Sequence, residues 1–148
     1  YVMAYKEHYR LISRKKTTLL PLAHEAIRHA AKMATLGIVT TKTARYSEEL
    51  LEHLGVMHHF KVLIGRESVT YPKPHPEPIQ KALLALNADP AQTWMVGDTP
   101  MDLMCAKEAG VKSIGVLCGY STKYELEKHT SCVVHDALDA VKLIAEQL

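Results

Sequence analysis

Two carboxylates stand four residues apart in Trp94-Met95-Val96-Gly97-Asp98-Thr99-Pro100-Met101-Asp102. An apolar run that breaks at a glycine into acids reads as a buried strand passing into a helix. Four residues make about one helical turn, so Asp98 at the strand end and Asp102 inside the helix can face one point. Two acids so placed repel each other unless a cation lies between them. Thr99 and Pro100 support that geometry, because threonine caps helix starts and proline fits the first helical position. Elsewhere Thr40 closes the apolar run Leu36-Gly37-Ile38-Val39, and Lys73 lies in the proline-rich stretch Tyr71-Pro72-Lys73-Pro74-His75-Pro76. Taken singly, Thr40 is an ordinary strand end, Lys73 a solvated loop lysine and the two acids a surface turn. Taken as a group, a hydroxyl, an ammonium and a pair of carboxylates suit a phosphate ester with a divalent metal. Thr40 and the amides beside it would bind phosphate oxygens, and Lys73 would offset their charge. Asp98 and Asp102 would hold magnesium, which takes one or two carboxylates and fills its remaining positions with water and substrate oxygens. The prolines flanking Lys73 would stiffen its loop and reduce the entropy lost on binding.

The elements that must position these residues follow from periodicity. Apolar spacing predicts helices over 22–33, 47–54, 77–86, 101–109, 122–128 and 136–147, with Gly55 as a helix stop. Short apolar runs predict strands over 36–41, 60–64, 94–96, 113–117 and 131–134. Residues 1–17 read as a polar, aromatic-rich helix ending in Arg14-Lys15-Lys16. Strands alternating with helices imply an α/β fold of three layers, a Rossmann-like parallel sheet wrapped on both faces. Ligands of such sheets bind outside the carboxyl ends of the strands, where Thr40, Lys73 and Asp98 fall.

Composition narrows the classes. A chain of 148 residues, 47% of them hydrophobic, can bury one core. A net charge of +2 with no basic block sets nucleic acid aside as a partner. No apolar run approaches the roughly 18 residues of a membrane span, and no segment has the pattern of a signal peptide. Cys105, Cys118 and Cys132 are odd in number and form no CxxC pair, which fits a reduced, cytoplasmic compartment. The nine histidines are scattered, and His58-His59 and His75 read as surface residues in loops.

Three ordered stretches then show a resemblance. Ile38-Val39-Thr40-Thr41-Lys42, Pro72-Lys73-Pro74-His75-Pro76 and Val96-Gly97-Asp98-Thr99-Pro100-Met101-Asp102 resemble motifs II, III and IV of the haloacid dehalogenase-like hydrolases, most closely those of phosphoglycolate phosphatases. Ala106 to Gly110 and Gly115 to Tyr120 resemble further segments of that family. The resemblance implies a magnesium-dependent phosphatase acting on a small phosphorylated metabolite. In it Thr40 and Thr41 bind the phosphoryl group and Lys73 holds both nucleophile and phosphate. Asp98 ligates magnesium, and Asp102 supports the metal through water. Thr41 stands where asparagine is usual and Thr99 where serine is usual, and both keep a short polar side chain.

One departure bears on activity. The family attacks phosphorus with an aspartate of an Asp-x-Asp motif on its first strand. The aspartates here are Asp89, Asp98, Asp102, Asp136 and Asp139; none forms Asp-x-Asp and none precedes Thr40. The resemblance therefore implies that residues 1–17 are the remnant of a helical cap, and that 18–148 form an incomplete core whose central strand is missing. The nucleophile would lie outside this chain, which alone should not turn over substrate. Three arrangements are open: a fragment of a longer polypeptide, a partner chain or another segment filling the gap, or closure of the remaining strands. Besides the phosphatase, a phosphosugar mutase of the same family and a non-catalytic phosphate- and metal-binding regulatory protein remain as readings. An Asp-x-Asp upstream in the full gene separates the first of these from the last.

Overall fold

The computed structural model describes residues 2–5, 12–13, 18–19, 21–117 and 121–147, with side chains from Ala23 onward. In chain order the elements are β1 (Val2–Tyr5), β2 (Ile12–Ser13), β3 (Thr18–Leu19), α1 (Pro21–Met33), β4 (Thr35–Val39), α2 (Ala44–His53), β5 (Phe60–Ile64), α3 (Glu77–Leu86), β6 (Thr93–Gly97), α4 (Pro100–Ala109), β7 (Lys112–Val116), α5 (Lys123–Glu127), β8 (Val133–Val134) and α6 (Ala137–Glu146). Every element predicted after residue 20 is present, displaced by a few residues at its ends.

A sheet of order β5-β4-β1-β6-β7-β8 forms the middle layer, and all its pairings are parallel. Successive strand residues point to opposite faces, so each strand feeds two cores. Ile38 and Val96 pack with Ala26, Ile27, Val141 and Ile144 under α1 and α6. Their neighbours Val39 and Met95 pack with Ile79, Ala82, Cys105 and Ala106 under α3 and α4. Burial of strand residues on both faces is why these strands are continuous apolar runs rather than alternating ones. No described helix is long and apolar enough to cross a membrane.

The amino-terminal segment corrects two expectations. Residues 2–5 are not part of a helix, and the central position of the sheet is not vacant: β1 lies between β4 and β6 and pairs in parallel with both. The remaining described residues of that segment, Ile12–Ser13 and Thr18–Leu19, pair with each other as a small antiparallel ladder. The physical reason is long-range. With its centre empty the sheet would hold two unpaired strand edges inside the domain, and each unpaired buried N–H or C=O is costly. A segment that supplies ladder partners to both edges at once gains more than a helix of marginal local propensity. The rest of the predicted cap remnant lies outside the described residues.

Candidate active site

The site begins with the register of the central strands. Tyr5 is level with Ile38 on β4 and with Val96 on β6. Thr40 and Asp98 each stand two residues further on, so they end neighbouring arms of the sheet at one height. With β1 between them, their strands are about 10 Å apart. This is the carboxyl edge on which the predicted chemistry depends.

Among the described residues six polar or charged side chains are buried: Thr40, Ser47, Lys73, Thr93, Asp98 and Asp102. Four of the six are the residues singled out by type and spacing. Lysine and aspartate are rarely taken out of water without a reason, so their burial here is the unusual feature of the fold. Thr41, by contrast, is exposed and stands apart from the buried group.

Asp102 is fixed from two sides. It is the third residue of α4, and its Oδ2 accepts from the backbone N–H and the hydroxyl of Thr99 at 3.2 and 2.9 Å. The Thr99 hydroxyl in turn accepts from the Asp102 amide at 3.3 Å, completing a capping box at the helix start. The close approach requires Gly97, since a Cβ there would lie 2.4 Å from Asp102 Cβ. The other carboxylate oxygen, Oδ1, accepts from Lys73 Nζ at 2.5 Å, with both side chains almost wholly buried.

Thr40 is held by its amide, which donates to the Ile64 carbonyl at 2.9 Å. Its Oγ1 accepts from the Lys42 amide at 3.1 Å, which leaves the hydroxyl proton to donate to a ligand. The loop after β4 is sewn to the loop after β5 by two contacts. Glu67 Oε1 accepts from the Ala44 amide at 2.8 Å, and the Arg66 amide donates to the Lys42 carbonyl at 2.9 Å. The Ala44 amide holds the Glu67 carboxyl below its ordinary range. Gly65 permits this seam, because a Cβ there would meet the Ala44 nitrogen at 2.4 Å.

The donor set fits a small, hard divalent cation. Among the described residues the buried charged side chains are two carboxylates (Asp98 and Asp102) and one ammonium (Lys73). Magnesium needs one or two carboxylates and keeps its waters, so a larger protein cage is unnecessary. No cluster of three or more His, Cys, Asp or Glu with metal-binding geometry occurs among the described residues. Both oxygens of Asp102 are in protein contacts, Oδ1 with Lys73 and Oδ2 with Thr99.

Residue type and position in the sequence single out Thr40, Lys73, Asp98 and Asp102, and the structure buries all four. Type and position do not single out Glu67 or Glu77, whose carboxylates fasten the loops; a glutamate in the first turn of a helix is too common to stand out.

Comparison with known proteins agrees with this geometry. The sequence pattern of the family described as haloacid dehalogenase-like hydrolase matches residues 1–116. A protein of Dickeya dadantii (strain 3937) named "Probable phosphatase IndB" is 40% identical over 107 residues, which cover 72% of this chain and 46% of that protein. The phosphoglycolate phosphatase of Salmonella paratyphi A is 31% identical over 137 residues, covering 91% of this chain and 54% of that one. Among solved structures, "a predicted phosphoglycolate phosphatase" from Haemophilus somnus 129pt superimposes with a TM-score of 0.76 at 27% identity, over 84% of this chain and 56% of the other. The chain spans about half the length of the curated relatives it matches.

Proposed function

The chain belongs to the haloacid dehalogenase-like hydrolases, and we propose that it carries the phosphate- and metal-binding part of a magnesium-dependent phosphatase for a small monoester of the phosphoglycolate kind. One observation supports the reading above all: the buried lysine among the described residues pairs with the buried Asp102, while Asp98 and Thr40, also buried, follow strands that end at the same edge of the sheet.

In this reading each side chain has a separate task. The Thr40 hydroxyl donates to a phosphoryl oxygen. Lys73, whose ammonium donates to Asp102 Oδ1, offsets the charge of the phosphate. Because Asp102 and the loop already fix that ammonium, little reorganisation is needed when charge moves onto the phosphoryl oxygens. Asp98 and Asp102 would hold magnesium, Asp98 as the ligand and Asp102 in support. Bound there, the metal would neutralise phosphoryl charge and orient the ester. The attacking carboxylate of an aspartyl-phosphate route is not one of these residues, since no aspartate precedes Thr40. It would be supplied from outside these 148 residues. The chain by itself then binds phosphate and metal without turning substrate over.

The metal assignment is tested by calorimetric titration of magnesium into the purified chain. Asp98→Asn should lower affinity by about tenfold or more. Asp136→Asn serves as the control, because Asp136 caps α6 and asparagine caps equally well. Equal magnesium affinity in the wild type and Asp98→Asn would remove Asp98 from the site.

A further inference from the structure

A lysine whose ammonium is buried against a carboxylate needs a loop that cannot drift. The loop between β5 and α3 carries Lys73, and side chains outside the proposed chemistry fasten it on both sides. Upstream, the Glu77 carboxylate turns back from the first position of α3. Its Oε1 accepts from the Tyr71 amide at 2.7 Å and from the Thr70 amide at 3.0 Å, and its Oε2 lies 3.2 Å from the Thr70 amide. Those two amides hold the Glu77 carboxyl below its ordinary range, so it is a charged acceptor at neutral pH. Downstream, the Cys105 thiol on α4 donates to the His75 carbonyl at 3.0 Å. Burial pushes that thiol up to about 11, so it keeps the proton it donates.

The span between these fastenings is itself closed. The His75 amide donates to the Pro72 carbonyl at 3.0 Å, a turn with Lys73 and Pro74 at its centre. The rings of Tyr71 and His75 stack with centroids 4.9 Å apart, and His75 Nδ1 accepts from the Glu77 amide at 3.0 Å. Lys73 therefore rides on a short closed turn whose two feet rest on Glu77 and Cys105.

We infer that Glu77 and Cys105 are positioning residues for Lys73: together they set where its ammonium stands relative to Asp102, Glu77 through the Thr70 and Tyr71 amides and Cys105 through the His75 carbonyl. The inference rests on the reading of Lys73 as the phosphate-binding lysine only for its functional consequence; the clamp itself is a property of the free chain.

Two readouts on the full chain test it. Acylation of Lys73 by acetic anhydride, followed by mass spectrometry, reports how well its amine is held. Amide exchange of Thr70 and Tyr71 reports the upstream foot. In the wild type Lys73 is protected. Glu77→Ala should raise both rates by about tenfold or more, the range expected for loss of hydrogen bonds to a charged group. Glu77→Gln, which keeps an acceptor oxygen, should restore part of the protection; a merely space-filling role would not distinguish glutamine from alanine in this way. Cys105→Ala gives an independent test if Glu77→Ala does not fold, with a smaller rise in Lys73 acylation. Wild-type acylation and exchange in folded Glu77→Ala, or in folded Cys105→Ala should that stand in for it, would overturn the clamp. Titration of inorganic phosphate into the wild type separates the two ideas. Failure of phosphate to bind would sink the phosphatase reading, and the acylation result would still decide the clamp.

Discussion

At the scale of single residues the Lys73–Asp102 pair dominates. Both side chains are almost fully out of water, so removing either one takes a close ionic partner from a buried charge. Lys73→Met should destabilise the chain by about 3–5 kcal/mol in urea unfolding. Adding Asp102→Leu to that variant should recover part of the loss, because the carboxylate that Lys73 contacted is then gone as well. The contrast is Arg45–Glu49, an ion pair with side chains 89% and 66% exposed. Glu49→Gln should leave the unfolding midpoint unchanged to within about 0.5 kcal/mol of stability. This scale was the most legible from sequence. An acid placed just beyond an apolar run, as Asp98 is, is carried by the run toward the interior, and that placement is visible in residue order; Lys73 stood out instead by the prolines on either side of it. Glu77 and Cys105 were not legible, because their partners are backbone groups brought near by the tertiary fold.

At the scale of elements the start of α4 shows how local sequence places Asp102. Thr99 caps, Pro100 opens the helix, and Gly97 clears the space that Asp102 occupies. Gly97→Ala should push Asp102 off its place and cost about 1–3 kcal/mol, the range for overpacking a tight core position. The sensitive readout is Lys73 acylation, which should rise with it. Gly55 is a useful comparison. It has φ near +75° with open space around it, so Gly55→Ala should cost about 1–2 kcal/mol from backbone strain and leave Lys73 untouched. Helix starts and stops such as Thr99-Pro100 and Gly55 were readable because capping chemistry is local. The segment 2–5 was misread for the opposite reason. What decides its conformation is a gap between β4 and β6, contributed by residues more than thirty positions and more than ninety positions along the chain.

At the scale of the whole molecule, the sheet sets the strand ends at one height and the loop carboxylates hold the edge together. Glu67 and Glu77 both titrate below the ordinary glutamate range because each accepts backbone N–H groups in the folded chain. A depressed carboxylate stabilises the fold above its unfolded pKa and loses that contribution as pH falls through the folded value. Acidification from about pH 5 downward should therefore loosen the two loops. Amide exchange of Ala44, Thr70 and Tyr71 between pH 3 and pH 6 would show it, and Glu67→Gln with Glu77→Gln should flatten the dependence. The parallel, three-layer architecture was legible from the alternation of elements, whereas the occupant of its central position was not. The central claim is that Thr40, Lys73 and the Asp98–Asp102 turn form one phosphate site. Its most direct test is a nuclear magnetic resonance titration of the labelled chain with phosphoglycolate in the presence of magnesium. Saturable shifts confined to Thr40–Lys42, the Lys73 loop and Asp98–Asp102, and abolished by Lys73→Ala, are the predicted result. Shifts centred elsewhere, or no saturable binding, would contradict it.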